Sequence, residues 1–202
     1  MDKIRTLNIA VFASHNGSDL QALIDGCKDE SIKNSRVSVV ISNNQDAYAL
    51  IRAENEGIAN YCLNAGLYPD DKELDRRTLE VLEEHEVDII FLAGYLKKIG
   101  QSVLRRYENR IFNIHPALLP KYGGKGMYGM NVHRAVIAAG EKVSGVTVHR
   151  VNEEYDSGDI VSQAEVEVLS TDTPEDLAAR VLKREHSFLV EVMAEIVKNI
   201  VR

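Results

Sequence analysis

The sequence has no tryptophan and only two cysteines, Cys27 and Cys62. Their spacing matches neither a redox pair nor a zinc site, so reduced thiols in a cytoplasmic protein are expected. No histidine pair has the His-x-x-x-His spacing of a metal site, and therefore no metal is predicted. No apolar run approaches the ~20 residues that a helix needs to cross a bilayer, so no membrane partner is expected.

Positive charge is in short supply, because 24 Lys and Arg residues face 31 Asp and Glu residues and leave a net charge of −7. This balance argues against nucleic acid as the main partner. Internal repeats, low-complexity tracts and long linkers are also missing. A chain of 202 residues without such boundaries is predicted to form a single domain over residues 1–202, whose two halves, 1–110 and 111–202, differ in character.

Short apolar segments alternate with amphipathic segments in the first half. Strands are predicted at residues 7–12, 36–42, 60–63 and 87–93, and helices at residues 19–25, 46–56 and 72–84. Nearly continuous apolar strands separated by amphipathic helices are typical of buried parallel sheets. The pattern therefore predicts an α/β fold with a Rossmann-like, twisted, mainly parallel sheet and helices on both faces.

The second half departs from this alternation. A glycine-rich segment at residues 121–131 precedes a predicted helix at 131–139 and two β-rich segments at 145–151 and 160–168. Thr173 and Pro174 mark a helix start, because threonine caps helix N-termini and proline fits the first helical position. The last helix is predicted to run from Pro174 to the C-terminus, either unbroken or with one break.

Two polar clusters follow predicted strands in this half. The first is Asn113-Ile114-His115-Pro116 and the second is Asp156-Ser157-Gly158. An amide that polarises a carbonyl, an imidazole that shuttles a proton and a carboxylate that tunes the shuttle form a workable set for acyl transfer. The plainer alternatives are a structural histidine and a β-turn held by an Asx hydrogen bond.

Asn113 and His115 are two residues apart, so their side chains are expected on one face of a strand. A carboxylate beside an imidazole raises its pKa and orients the ring. Asp156 is therefore expected to keep His115 protonated near neutral pH.

Two other segments lie where parallel sheets bind ligands, just beyond the carboxyl ends of predicted strands. Residues 14–19 offer backbone amides and a helix N-terminus to an anion such as phosphate, or form a plain turn with Ser18 or Asp19 as helix cap. Their sequence is neither a Walker loop nor Gly-x-Gly-x-x-Gly. Residues 94–99 either line a crevice for a flat heteroaromatic ligand or form a solvated loop.

Four motifs, taken in chain order, resemble those of the phosphoribosylglycinamide formyltransferases, a family within the folate-dependent formyltransferase superfamily. They are Asn16-Gly17-Ser18-x-Leu-Gln, Leu92-Ala93-Gly94-Tyr95, Asn113-Ile114-His115-Pro116-x-Leu-Leu-Pro and Asp156-x-Gly158. The resemblance implies transfer of the formyl group of 10-formyltetrahydrofolate to the amine of 5'-phosphoribosylglycinamide in de novo purine biosynthesis. It also implies direct transfer with general acid catalysis.

The resemblance assigns roles to matching positions. Asn113 would hold the formyl oxygen and stabilise the oxyanion, His115 would act as general acid, and Asp156 would keep His115 charged. The first half becomes the phosphate-binding half and the second the catalytic and folate-binding half. The residues assigned to the ribonucleotide are Gly17, Ser18, Asp19, Pro116 and Glu185. The residues assigned to the folate co-substrate are Lys72, Leu96, Lys97, Lys98, Ile99, Asn113, Val151, Asn152, Glu153, Glu154 and Tyr155.

The chain departs from the family pattern at several of these positions. Asp19 stands where the family usually has Asn, which places a carboxylate beside the expected phosphate. Lys72 and Lys97 stand where Arg is common, and Lys98 where an apolar residue is usual. The glycine-rich segment is longer than in the common bacterial form, and is interpreted either as a mobile flap over the substrate entrance or as a surface insertion.

Other functions share the Asn-x-His-Pro core. Methionyl-tRNA formyltransferases carry a further domain for tRNA, which fits an acidic chain of this length poorly, and formyltetrahydrofolate deformylases normally carry an extra N-terminal domain. The retained alternatives are deformylase hydrolysis and formyl transfer to another amine. A binding module without catalysis has no need of the tuned proton donor expected at His115. A monomer or weak homodimer that acts on small molecules is expected.

Overall fold

A computed structural model describes residues 5–201, and residues 1–4 and 202 lie outside the described part. The strands are β1 (Leu7–Phe12), β2 (Ser35–Ser42), β3 (Ala59–Cys62), β4 (Ile89–Leu92), β5 (Ile111–His115), β6 (Val143–Arg150) and β7 (Ile160–Glu167). They form one sheet in the spatial order β3-β2-β1-β4-β5-β6-β7. The predicted single domain over residues 1–202 and its division after residue 110 stay predictions.

The sheet changes from parallel to antiparallel at β5. Strands β1 to β5 pair in parallel, whereas β6 runs antiparallel to β5 and β7 runs antiparallel to β6. The two central strands, β1 and β4, are buried along their whole length, as expected for parallel strands covered on both faces. The predicted mainly parallel α/β fold is confirmed.

Six helices cover the sheet in the described residues. They are α1 (Ser18–Lys28), α2 (Tyr48–Asn55), α3 (Asp71–Glu84), α4 (Gln101–Arg106), α5 (Met130–Ala138) and α6 (Pro174–Val201). One apolar cluster joins Leu20 of α1 with Leu189 of α6, and a second joins Val81 of α3 with Val103 of α4. The two clusters lie on opposite faces of the sheet, because side chains alternate along each strand. Each fully buried aliphatic side chain contributes about 1.5–3 kcal/mol to stability.

The first residue of a helix depends on local hydrogen bonds, which the spacing of apolar residues does not predict. Helix α2 begins at Tyr48 rather than at residue 46, because Asn44 forms a turn in which its side chain accepts from the Asp46 N–H at 3.1 Å. Helix α6 begins as predicted. The Asp176 N–H donates to Thr173 Oγ1 at 3.2 Å, and the Thr173 N–H donates to Asp176 Oδ2 at 3.0 Å. The helix then continues to Val201 without the break that the sequence allowed.

Candidate active site

Asn113 and His115 lie on β5, the last strand of the parallel series, and both line a cavity of about 760 Å³. Their two-residue spacing places them on the same side of the strand, as the sequence predicted. The ring of His115 is buried, with only 4% of the residue exposed. An imidazole and an amide therefore face the cavity from a rigid strand rather than from a loop.

Asp156 reaches these two residues from the turn after β6. Its Oδ2 lies 3.6 Å from His115 Nδ1, and its Oδ1 lies 3.5 Å from Asn113 Nδ2. Asp156 itself has a φ of 53°, and the chain then folds back so tightly that a Cβ at Gly158 would lie 1.9 Å from the carbonyl oxygen of Arg150. The turn thus depends on glycine, and it brings the three predicted residues together.

His149 is a fourth member of this group, and the sequence analysis did not identify it. It pairs with Asn113 across β5 and β6, and its Nε2 lies 3.0 Å from Asn113 Nδ2 and 3.5 Å from Asp156 Oδ1. The signal that identifies it is the strand register, which requires knowledge of the β5–β6 pairing. We call Asn113, His115, His149 and Asp156 the catalytic cluster.

The glycine-rich segment, residues 121–131, bonds directly to the catalytic cluster. His115 Nε2 donates to the carbonyl oxygen of Tyr122 at 2.8 Å, and the N–H of Gly124 donates to Asp156 Oδ2 at 2.8 Å. Residues 124–131 line the cavity. The interpretation of this segment as a mere surface insertion is therefore wrong. Whether the segment moves as a flap stays a prediction.

The electrostatics of the cluster correct one expectation. Burial lowers the pKa of His115 more than the Asp156 carboxylate and the Tyr122 carbonyl raise it, and the neighbouring His149 lowers it further. The sequence analysis expected Asp156 to keep His115 protonated near neutral pH. That expectation is wrong, because burial disfavours the imidazolium more than the Asp156 carboxylate at 3.6 Å favours it.

Asp156 remains the ionised member of the cluster. Burial alone would raise its pKa, but contacts with His149, His115 and the Gly124 N–H outweigh burial and lower the pKa below its usual value. A carboxylate fixed by donors from a strand and from the glycine-rich segment supplies a permanent negative charge beside the imidazole.

The residues assigned to the folate fall into two groups. Leu96, Lys97, Lys98 and Ile99 line the cavity beyond β4, together with Val151, Asn152, Glu153, Glu154 and Tyr155 beyond β6. Of the two interpretations of residues 94–99, the crevice lining is supported over the solvated loop. Lys72 differs, because it is an exposed residue at the start of α3 and is not among the residues that line the cavity.

The residues assigned to the ribonucleotide are also divided. Pro116 and Glu185 line the cavity, whereas Gly17, Ser18 and Asp19 lie at the start of α1 and do not. Gly17 occupies the N-cap position with a φ of 74° and without a side-chain cap bond, so the alternative that Ser18 or Asp19 caps the helix is wrong. The first amides of α1 have no acceptors within the helix, which suits them to an anion.

Cavity-lining residues that the sequence prediction did not include are His133, Ala178 and Leu182, and Tyr95 lines the cavity within the predicted segment 94–99. Tyr95 is half-buried, and this burial raises its pKa to about 12. His133 on α5 is 5% exposed, and burial and the nearby His115 lower its pKa. The α6 residues Ala178 and Leu182 face the cavity at helical spacing with Glu185. Their position depends on the docking of α6, which no local motif encodes.

Residues 7–193 match the family model described as formyl transferase. The fold and the catalytic cluster therefore belong to a member of the formyl transferase family. The chain is 38% identical to phosphoribosylglycinamide formyltransferase of Escherichia coli (strain K12) over 181 residues, which cover 90% of this chain and 82% of that protein. Within the family, it belongs to the phosphoribosylglycinamide formyltransferases, and the resemblance of the four sequence motifs is confirmed.

A plant relative and a solved structure agree with this placement. The chain is 43% identical over 193 residues to the chloroplastic phosphoribosylglycinamide formyltransferase of Arabidopsis thaliana. The aligned region covers 95% of this chain and 66% of the plant protein. It matches the crystal structure of glycinamide ribonucleotide transformylase 1 from Symbiobacterium toebii with a TM-score of 0.88 and 38% identity, over 96% of this chain and 89% of that one.

A more distant structure shares the fold alone. The crystal structure of a formyltetrahydrofolate deformylase from Pseudomonas syringae matches with a TM-score of 0.85 at 22% identity, over 96% of this chain and 62% of that one. Within residues 5–201, no helix is long and apolar enough to cross a membrane. The same residues contain no group of three or more His, Cys, Asp or Glu side chains arranged to hold a metal ion.

Proposed function

We propose that the protein transfers the formyl group of 10-formyltetrahydrofolate to the amine of 5'-phosphoribosylglycinamide in de novo purine biosynthesis, with the folate as co-substrate. The observation that carries this proposal is the convergence of Asn113, His115 and Asp156 in one cavity of about 760 Å³. A cavity of this size is in the range that holds cofactor-sized ligands. Membership of the formyltransferase family supports the same reaction.

Asn113 is proposed to bind the formyl oxygen. Its Nδ2 carries two hydrogens, and one of them points to His149 Nε2 at 3.0 Å. His149 Nδ1 donates to the carbonyl oxygen of Arg150 at 2.8 Å, so Nε2 of the neutral ring is an acceptor. The second hydrogen faces Asp156 Oδ1 at 3.5 Å, a long contact that a substrate oxygen is proposed to replace. A donor fixed in this way stabilises developing negative charge without reorganising.

His115 is proposed to relay a proton. Formyl transfer takes a proton from the attacking amine and requires one at the departing nitrogen. A histidine of lowered pKa is largely neutral near neutral pH, so it is able to accept the amine proton first. Once charged, the ring has a hydrogen on both nitrogens, which face Asp156 and the Tyr122 carbonyl. His115 then acts as acid only after it has acted as base.

The two substrates are proposed to occupy different parts of the cavity. Leu96, Ile99 and Val151 form an apolar wall that suits a flat pteridine ring, and Lys97 and Lys98 lie at its rim. Pro116 and Glu185 line the part assigned to the ribonucleotide. Its phosphate is assigned to the amides of Gly17, Ser18 and Asp19 at the start of α1.

The finer properties of the protein are predictions from the sequence. We expect small molecules as its ligands, and neither nucleic acid nor a membrane as a partner. A monomer or weak homodimer in the cytoplasm is expected, without a bound metal. Size-exclusion chromatography with light scattering tests the oligomeric state.

A spectrophotometric assay of the purified protein tests the reaction. The protein is mixed with a 10-formyl folate donor, with and without 5'-phosphoribosylglycinamide. Folate release that requires the ribonucleotide supports the proposed transferase. Release without it indicates deformylase chemistry, and release only with a different amine indicates another acceptor. The absence of release under every condition contradicts the proposed activity.

A further inference from the structure

The start of the glycine-rich segment is tied to a residue that no motif of the sequence singles out. Tyr122 Oη donates to Glu141 Oε1 at 2.9 Å. Glu141 lies between α5 and β6, just after Gly140, whose φ of 67° is typical of the residue that ends a helix. The ring of Tyr122 also packs against the apolar cluster that includes Leu189 of α6. We call Tyr122 and Glu141 the anchor pair.

The backbone at the same point contacts two members of the catalytic cluster. His115 Nε2 donates to the Tyr122 carbonyl oxygen at 2.8 Å, and the Gly124 N–H donates to Asp156 Oδ2 at 2.8 Å. A Cβ at Gly123 would lie 3.1 Å from Asp156 Cβ, so the chain between these two bonds lies closely against Asp156. Tyr122 has a φ of 58°, which a non-glycine residue keeps only where surrounding contacts enforce it.

The Tyr122 carbonyl fixes where the neutral imidazole carries its hydrogen. A carbonyl oxygen only accepts hydrogen bonds, so His115 Nε2 must be the protonated nitrogen. The free lone pair of the neutral ring is then on Nδ1, which lies 3.6 Å from Asp156 Oδ2. Burial lowers the pKa of His115, and the Asp156 carboxylate and the Tyr122 carbonyl oppose that shift. The position of one backbone oxygen therefore affects both the tautomer and the charge of His115.

Other titratable groups face His115 from the surrounding elements. Asp156 approaches from the turn after β6, His149 lies on β6, and His133 lies on α5, where burial and then His115 lower its pKa. Glu185 of α6 lines the same cavity. Substitutions in the anchor pair leave all four of these side chains in place, so a change in His115 reports the position of the carbonyl.

The two side chains of the anchor pair are in the protonation states that their hydrogen bond requires. Bonds from Lys121 and Tyr122 lower the pKa of Glu141, which is therefore an ionised acceptor near neutral pH. Burial and the bond to Glu141 raise the pKa of Tyr122, so its hydroxyl keeps the donated hydrogen. Lys121 Nζ also lies 2.9 Å from Glu141 Oε1, but its side chain is 69% exposed, and exposed ion pairs contribute little.

We propose that Tyr122 and Glu141 are positioning residues, which hold the Tyr122 carbonyl oxygen against His115 Nε2 and so determine which ring nitrogen accepts a proton. This inference deepens the proposed function and rests on it, because it concerns the proton relay assigned to His115. Neither member of the anchor pair is among the residues that line the cavity. The pair therefore acts through His115 and not on the substrates.

The variant Tyr122→Phe removes the hydroxyl and keeps the ring that packs in the core. Two-dimensional NMR of the ligand-free protein with ¹⁵N-labelled histidine follows the ring of His115, whose signals are assigned by their loss in His115→Gln. In the native protein we expect the neutral ring to carry its hydrogen on Nε2. In the variant we expect the hydrogen to be distributed over both nitrogens and the pKa of His115 to be lower, because an acceptor of the charged ring is held less firmly.

Kinetics of the same variant connect the ring to the reaction. We expect kcat to fall about 10-fold in Tyr122→Phe, with the KM for each substrate within about 2-fold of the native value. The acid limb of the kcat/KM profile should move to lower pH together with the NMR titration. Glu141→Ala should reproduce these changes, and combining it with Tyr122→Phe should add little, because both remove the same hydrogen bond. Glu141→Gln keeps an acceptor oxygen and should recover most of the loss.

Lys121→Ala is the control, because it removes the exposed ion pair and leaves the hydroxyl bond to Glu141 in place. Its His115 titration and its kcat should match those of the native protein. Native titration of His115 in both Tyr122→Phe and Glu141→Ala would overturn the proposal, even if the variants melt at lower temperature.

Two further results would also contradict the positioning role. Additive losses in the double variant would mean that Tyr122 and Glu141 act separately, and an equal loss in Lys121→Ala would assign the effect to the ion pair. The NMR titration needs no substrate, so it tests the anchor pair independently of the reaction. A protein that titrates as expected and does not formylate the ribonucleotide would keep the anchor pair and contradict the proposed function alone.

Discussion

The catalytic cluster and the buried side chains of Asp19 and Glu185 differ in how their hydrogen bonds are completed. In the catalytic cluster, Asp156 accepts from the Gly124 N–H and contacts His115 and His149, so fixed neighbours surround each functional atom. Asp19 Oδ1, in contrast, has no hydrogen-bond partner, and neither has the His186 Nε2 that lies 3.5 Å away.

This difference in hydrogen bonding accompanies opposite shifts in the pKa values of Asp156 and Glu185. Where donors are fixed by strands and backbone, the carboxylate is ionised and its pKa is lowered, as for Asp156. At Glu185, burial and then the neighbouring Asp19 carboxyl group raise the pKa well above its usual value. Burial alone therefore does not decide the charge of a carboxyl group. At Asp156 the neighbouring contacts outweigh burial, whereas at Glu185 they add to it.

The largest effect is expected from His115→Ala. Removal of a proton relay typically lowers the rate by about 10²–10⁴-fold, so kcat should fall in that range while the ribonucleotide KM changes little. Steady-state kinetics and a melting curve measure the two effects together. His85→Gln is the control, because His85 caps α3 beyond Glu84, away from the cavity, and contacts Tyr61. A His115→Ala enzyme within about tenfold of the native rate would contradict the relay.

Asp156→Asn should give the next largest effect and test the fixed-donor cluster. The carboxylate raises the pKa of His115, although burial keeps that pKa low on balance. Its removal should lower the His115 pKa further and shift the acid limb of the kcat/KM profile to lower pH. Loss of charge stabilisation for the protonated ring should lower kcat by about 100-fold.

The control for this variant is Asp159→Asn, three residues further along the same turn, where the side chain is exposed. It removes the same charge from the same loop and should leave the acid limb in place. A shift of the acid limb to higher pH in Asp156→Asn would contradict the assigned direction, because it would mean that Asp156 lowers the pKa of His115.

Much of the fold was predictable from the sequence because it depends on local features, namely the spacing of apolar residues and the residues that start a helix. The residues of β1 matched the predicted strand at residues 7–12, and the start of α6 followed from Thr173 and Pro174. The end of α3 at Glu84 was also predicted, whereas the start of β4 was harder to place. Glu86 has a φ of 48° and the Val87 N–H bonds back to Leu82, so β4 begins at Ile89 rather than at residue 87. The spacing of apolar residues does not predict such a turn.

The site was predictable only where a motif carries its chemistry. Asn113 and His115 share one strand, so their common face followed from a spacing of two. The contacts of His149 depend on antiparallel register, and those of Glu185 on the packing of α6 against α1, neither of which is a local property. The sign of the His115 pKa shift was missed for a related reason, because burial depends on the whole fold.

Gly17→Ala should have a smaller effect, on stability, at the N-terminus of α1. Gly17 has a φ of 74°, and a Cβ there would lie 2.7 Å from Ala49 Cβ and 2.9 Å from Ala49 Cα, which forces α2 away from α1. Gly57→Ala is the matched control, with a φ of 66° and no atom within 4 Å of the added Cβ. A positive φ at a non-glycine residue costs about 1 kcal/mol of stability. The Gly57 variant therefore measures backbone strain alone, and the Gly17 variant measures the same strain together with the steric clash.

We expect chemical denaturation to give a loss of about 1 kcal/mol for Gly57→Ala and about 2–4 kcal/mol for Gly17→Ala. The Gly17 variant should also raise the KM for the ribonucleotide, because its clash displaces the amides assigned to phosphate. Equal losses in the two variants would show that the contact between this loop and α2 is not tightly packed.

Lys98→Ala should give the smallest effect, at the exposed rim of the cavity. Lys98 Nζ lies 3.6 Å from Glu154 Oε2 and 5.3 Å from the ring centre of Tyr155, and both charged side chains are mostly solvent-exposed. Exposed ion pairs contribute about 1 kcal/mol or less, so the KM for the folate should rise by no more than about 5-fold, with kcat unchanged. Lys142→Ala, at the exposed start of β6, is the charge-matched control. Because solvent ions already screen the rim, raising the salt concentration should reduce the difference between the two variants. A loss that approaches that of Asp156→Asn would mean that Lys98 binds the folate from within the cavity, and the contrast between buried cluster and solvated rim would fail there.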